Sequence, residues 1–392
     1  MKKIIIVNNN MHIGGVQKSL YNLLWNIDLE YRYDVTLLLF SKNGYYLENL
    51  PNKIKVVECG KPFHYMGESQ NFFKKNLFDY VIRGFLAVLS RLFGRDKAIK
   101  LMCLFQPKLD EKYDCAISFL HNGKRNSFYG GVQEYVLNCV NADKKIAFLH
   151  CDYSNCGANH IYNNRMLSKF DAIAACSDGC RKVFSSSVRD LAAKCITVRN
   201  CHLYNEIRKM ANEKPYVYDT SFINVVSVSR LSSEKGLERA INAIFHCVNS
   251  KILIKLHIIG DGPMYKKLAS IVEELNISEN VVFYGEKSNP YRYMKNADLL
   301  LMSSYHEAAP MVIDESRCLG LPVLTTKTTS SKDMVEDLNC GWVCENSQEA
   351  LNEALFTITS NNDIIFELKT RLLNSPVDNC IGLSQFSTLV ES

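Results

Sequence analysis

The sequence predicts an α/β protein made of two Rossmann-like halves, each a parallel sheet with helices between its strands. Three observations predict it. Short apolar runs alternate with stretches of helical spacing, which is the pattern of βα units. The runs end in polar residues, as parallel strands do where they deliver side chains to a cleft. The alternation breaks once, in a polar stretch around Asn205–Tyr218 that contains Pro215, and restarts with a strand at Ile223.

Size and composition agree with two ordinary domains. The chain has 392 residues, 47% hydrophobic and 22% charged, enough to bury two cores and unlike a disordered protein. Its 15 cysteines are odd in number and scattered through apolar runs. A disulfide framework does not look like that, so a reducing cytosol is expected. The start, MKKIIIVNNN, reads as a buried strand and is too short in apolar residues for a signal-peptide core. No run approaches the ~20 apolar residues of a membrane span. The net charge of +5 is local. Between Phe72 and Leu104 seven basic residues (Lys74, Lys75, Arg83, Arg91, Arg95, Lys97 and Lys100) face two acids, an excess equal to the whole net charge.

The elements follow in order. Ile4–Asn8 is the first strand. A loop with Gly14 and Gly15 leads into a helix marked by Leu20, Leu23, Leu24 and Ile27. The glycine pair permits close backbone approach, but G-x-G-x-x-G is absent and no acid ends the next strand, Val35–Phe40. A dinucleotide cofactor is therefore not expected. Lys53–Glu58 is a third strand. In the basic segment, positions 78, 81, 82, 85, 89, 92 and 93 fall on one helical face, with Arg83, Ser90 and Gly94 elsewhere. Such a helix suits an anionic membrane surface, or else packs its apolar face inward with solvated basic edges. Nucleic acid is not expected there, because base-stacking aromatics are not interleaved with the charges.

Tyr113–Leu120 and Lys145–Leu149 are strands ending at His121 and His150. Asp171–Ser177 and Cys195–Asn200 complete the first half. A strand-end histidine is either functional or a capping residue. His150, Cys151, Cys156 and His160 lack paired zinc-ligand spacing, so no metal is expected. The second half runs Ile223–Ser229, a helix to Val248, Ile252–Ile259, the turn Gly260–Pro263, a helix Met264–Leu275, Asn280–Gly285, Tyr291–Ala297 and Asp298–Ser304. Arg230 and Lys235 lie at a strand end and a helix start, where two cations would hold a diphosphate. The boundary within 203–218 separates domains 1–204 and 205–375, and a terminal helix within 376–392 carries Leu383, Phe386 and Leu389 at helical spacing.

His306–Leu324 organises the second half. Glu307 ends a strand, Ala308 and Ala309 follow, and Pro310 opens a short helix, Met311–Leu319, stopped by Gly320. The free N–H groups of that first turn make an anion site. From Pro310 to Glu315 the helix rises roughly 7–8 Å at about 1.5 Å per residue. Two carboxylates flanking an anion site suit a ligand with hydroxyls on both sides of a diphosphate, as in a nucleotide-sugar.

VSVSRLSSEKGLERAI, LHIIGDGPMYKKL, NVVFYGEKSN, ADLLLMSSYHEAAPMVIDESRCLGLPVL and CGWVCEN resemble, in order, family-four (group 1) bacterial glycosyltransferases of the GT-B fold. Gly14-Gly15, KIAFLHCDY and RNCHLYNEIRKMA extend the resemblance more thinly into the first half. It implies two Rossmann-like domains facing across a cleft and retaining transfer without a metal or other cofactor. It places Arg230 and Lys235 on the donor diphosphate, Glu307 on the donor sugar and Glu315 on the ribose. The backbone of Ala309, Pro310, Met311 and Val312 would meet the phosphates, with Gly14, Gly15 and Gly260 also at the donor. His150 resembles an acceptor-side position, and the choice between it and His121 stays open. Ala308 stands where the family often has glycine, and Cys201 where the connection usually has proline or glycine after asparagine. The implied partners are a nucleotide-sugar donor, a glycan or lipid-linked acceptor and an anionic membrane surface contacted through 72–104. A sugar-nucleotide epimerase of the same fold and a non-catalytic subunit of a transferase complex are the rival readings.

Overall fold

A computed structural model describes residues 1–29 and 32–391. The chain divides into two compact units, 1–201 with 379–392 and 202–378. Ser392, the last residue of the expected terminal helix, lies outside the described residues.

The first unit holds seven parallel strands: β1 (Lys2–Asn8), β2 (Tyr33–Leu39), β3 (Lys55–Glu58), β4 (Lys112–Ser118), β5 (Asn141–Leu149), β6 (Ala172–Ala175) and β7 (Cys195–Thr197). Their order is β3-β2-β1-β4-β5-β6-β7. The second unit holds β8 (Ile223–Val228), β9 (Ile254–Ile259), β10 (Val281–Gly285), β11 (Leu299–Met302), β12 (Val323–Thr326) and β13 (Gly341–Cys344), ordered β10-β9-β8-β11-β12-β13. Helices cover the sheets, so the central strands are buried on both faces and read as unbroken Val/Ile/Leu runs. In β8, Val225 faces one apolar core and Val226 the other. β13 was not apparent as a strand from spacing, because its four residues, Gly-Trp-Val-Cys, are too few to show a period.

Strand order reverses between β1 and β4 in one sheet and between β8 and β11 in the other. Neighbouring loops leave in opposite directions at such a point and open a crevice at the carboxyl ends. The terminal helix, Cys380–Glu391, buries Phe386, Leu389 and Val390 in the core of the first unit.

The basic segment differs from expectation. It forms two helices, Leu77–Phe93 and Arg95–Phe105, interrupted at Gly94. The first presents its apolar stripe outward: Phe78 is 66% exposed, Phe85 58% and Leu92 68%. Its inward face carries Leu86 and Ser90, the latter fully buried. Arg83 also turns in, donating to the Glu68 carbonyl and to Gln70. Arg95 is fully buried, with Nε 3.5 Å from Glu134 and Nη2 bonded to Asn163. The outward basic set is therefore Lys74, Lys75, Arg91, Lys97 and Lys100. No helix among the described residues is long and apolar enough to cross a membrane.

Candidate functional site

The crevice between β8 and β11 contains a small pocket. Its wall includes Ser229 beyond β8, Lys235, Ser304 beyond β11, Glu307, Pro310 and Val312. Lys235 and Glu307, 72 positions apart in the sequence, meet there because β8 and β11 are hydrogen-bonded neighbours.

Lys235 and Glu307 form the polar centre. Lys235 Nζ lies 2.6 Å from Glu307 Oε1, and Ser304 Oγ donates to the same oxygen at 2.7 Å. Both side chains are largely shielded, at 25% and 10% exposure. Two charge-assisted bonds leave the carboxylate one orientation. Gly236 makes the approach of the lysine possible. Its φ is +59°, and a Cβ there would collide with the Ser303 carbonyl.

The helix that follows spans Met311–Cys318, with Pro310 as its N-cap and no side-chain cap. Proline cannot cap with a side chain, so the N–H groups of Met311 and Val312 face the pocket end without that competitor. Ala309 packs against the core behind, and Met311 is buried beneath. Asp314 would be raised by burial, but His202 and Arg317 hold its carboxyl below the usual range. Glu315 is almost fully buried in the second turn and stands outside the pocket wall.

Two other candidates sit differently from the expected diphosphate clamp. Arg230 has a side chain 70% exposed and pairs with Glu234 at 2.8 Å, outside the wall. Burial would raise Glu234, but Ser232 and Arg230 bring its carboxyl down to about 2. Gly260 has φ +144°, and a Cβ there would strike the Ser229 carbonyl. It lets the turn after β9 lie against the loop that leads to Arg230.

The first unit has its own strand-end cluster. Gly15 starts the helix Gly15–Leu29 beside Gly14, with open space around its Cα. β4 and β5 pair with Ser118 opposite Ala147, and His121 and His150 each lie three residues further on. The two residues thus follow neighbouring strand ends, close enough for His121 to act electrostatically on His150. His150 packs on Phe119 and Phe148, at 4.6 and 5.8 Å between centroids. His121 Nδ1 and His150 Nε2 have no hydrogen-bond partner among the described residues. Burial and the nearby Arg95 charge lower His121 to about 4; burial and His121 lower His150 to about 3. No cysteine among the described residues forms a disulfide, and no group of three or more His, Cys, Asp or Glu among them is placed to hold a metal.

Spacing did not single out Ser304 or Gly236. The first is a hydroxyl at a strand end, and the second a glycine after a lysine. Neither type is distinctive without its partner across the crevice.

Residues 211–372 match the family model described as glycosyl transferases group 1. An uncharacterized glycosyltransferase of Methanocaldococcus jannaschii is 28% identical over 166 residues, 41% of each chain. The lipopolysaccharide glucosyltransferase WaaG of Escherichia coli is 38% identical over 125 residues, 31% of this chain and 33% of that one. The chain thus spans about two fifths and one third of these relatives' lengths. Anabaena HepE, solved with UDP and glucose, superposes with a TM-score of 0.69 at 16% identity over the whole of both chains. Residues 211–372, within the second unit, are thus similar to group 1 glycosyltransferases, and the chain has the GT-B fold.

Proposed function

We propose that the chain is a retaining glycosyltransferase that moves a hexose-type sugar from a nucleoside-diphosphate-sugar to a glycan acceptor. The acceptor is lipid-linked and presented at the cytoplasmic face of the membrane, and the product enters a cell-surface polysaccharide. The observation that carries this reading is Glu307, oriented by Lys235 and Ser304 beside the uncapped start of Met311–Cys318 at a sheet switch point.

In this proposal Glu307 accepts from the sugar hydroxyls, the first-turn N–H groups and Lys235 meet the diphosphate, and Glu315 takes the ribose. Arg230 turns from Glu234 to the phosphates. An exposed arginine loses little by exchanging one surface pair for a bidentate phosphate contact. No metal is required, because these groups take the negative charge of the departing diphosphate. The bond from the anomeric carbon to phosphate oxygen breaks while that to the acceptor oxygen forms on the same face. The departing phosphate oxygen takes the acceptor's proton, and configuration is retained. His150, neutral, stands on the acceptor side. The UDP bound in Anabaena HepE supports a uridine nucleotide as the first donor to test.

A thermal-shift screen of nucleotide-sugars identifies the donor through ligand-linked stabilisation. With that donor, Lys235→Ala is expected to lower turnover more than about tenfold, a barrier increase of at least ~1.4 kcal/mol, and chelation to leave turnover unchanged. A smaller loss in Lys235→Ala removes the assignment. Sugar released from donor alone, at the rate seen with acceptor, points instead to an epimerase.

A further inference from the structure

Arg239 lies in the first turn of the helix Leu237–Asn249 and is only 4% exposed. A cation there opposes the helix dipole, and its burial adds a desolvation cost. Packing alone does not explain an arginine at this position. Its surroundings do. Nη1 donates to Asn346 Oδ1 at 2.7 Å and Nη2 to the Ser347 carbonyl at 3.0 Å. The guanidinium lies over the Tyr305 ring, 4.7 Å from its centroid. Asn346 closes the circuit by donating to the Tyr305 carbonyl at 3.1 Å. Tyr305 N–H in turn donates to the Glu234 carbonyl, and its hydroxyl donates to Glu238. The segment clasped in this way is the one that carries Ser304 and, two residues after Tyr305, Glu307.

We infer that Arg239 is a positioning residue for donor-sugar recognition: through Tyr305 and Asn346 it holds the 303–307 segment so that Glu307 meets the sugar. This rests on the glycosyltransferase reading. The nucleotide half of the donor depends on Lys235, the Met311–Cys318 helix and Glu315, none of which Arg239 touches. Loss of Arg239 therefore separates sugar handling from nucleotide binding. Lysine cannot replace it, because one ammonium cannot serve both acceptors and stack flat on the ring.

The test compares wild type, Arg239→Met, Arg239→Lys, Asn346→Ala, Glu307→Gln and the double variant Arg239→Met/Glu307→Gln. UDP affinity is measured by calorimetry and turnover with the donor identified above. The expected result is UDP affinity within about threefold of wild type in both Arg239 variants, with kcat lowered about tenfold or more. Asn346→Ala, at an exposed position, moves kcat in the same direction. The double variant falls no more than about twofold below Glu307→Gln, since both changes remove one interaction. Losses that multiply in the double variant, or UDP affinity falling in step with kcat, overturn the role of Arg239 while leaving the enzyme reading intact. A wild type that turns over no nucleotide-sugar overturns both.

Discussion

His121 and His150 show how side-chain chemistry depends on neighbours. Each was legible as a strand-end histidine, but spacing could not choose between them. They follow the ends of the neighbouring strands β4 and β5, and burial lowers both pKa values well below the ordinary histidine range. A histidine whose folded pKa is depressed contributes stability that is full above about pH 6.5 and is lost as pH falls toward its folded value. Stability of the first unit should therefore decline from about pH 6.5 toward pH 4, and the loss should shrink in a His121→Gln/His150→Gln variant followed by denaturant unfolding. Imidazole NMR shifts should show both rings uncharged at pH 5.5; titration near 6.5 would refute the assignment. The pair Lys235 and Glu307 was legible by residue type and place in the second half. The third member, Ser304, was not, because it becomes significant only when it bonds Glu307.

The helix Leu77–Phe93 was visible in the sequence as an amphipathic run, but the side that it buries was not. Helical spacing reports that apolar residues share a face and cannot report whether the core lies behind it. Here Arg83, Leu86 and Ser90 point inward and Phe78, Val81, Phe85 and Leu92 outward, next to Lys74, Lys75 and Arg91. An apolar stripe left in water with cations along it fits an anionic lipid surface, where each lysine or arginine near the surface adds about 1 kcal/mol. The chain is expected to float with vesicles containing anionic lipid and to lose most of that binding when Lys74, Lys75, Arg91, Lys97 and Lys100 are replaced by glutamine. Replacing Arg83 and Arg95 instead should destabilise the fold, since both are bonded inside it. Flotation unchanged by the five substitutions would end the proposal.

Chain order also matters to the molecule as a whole. The chain leaves the first unit at Cys201 and returns at Asn379, so residues far apart in sequence complete one core. Phe386 is fully buried edge-on to Tyr33, and Lys2 and Lys144 donate to the carbonyls of Val390 and Leu389. Phe386→Ala should cost about 3–5 kcal/mol in the first unit's unfolding transition. Nucleotide binding by residues 202–378 should persist, as measured by calorimetry on the same variant. What the sequence by itself determined was local: the alternation of strand and helix, the two halves, the proline-started helix after Glu307 and the lysine before Gly236. These depend on periodicity and on residues whose backbone limits are intrinsic. Only the tertiary structure decided which strands are neighbours, which face of Leu77–Phe93 is wet, that Arg230 pairs with Glu234 while Lys235 reaches Glu307, and that Arg239 clasps Tyr305. Those outcomes depend on contacts between residues distant in the chain, for which a linear pattern carries no distance.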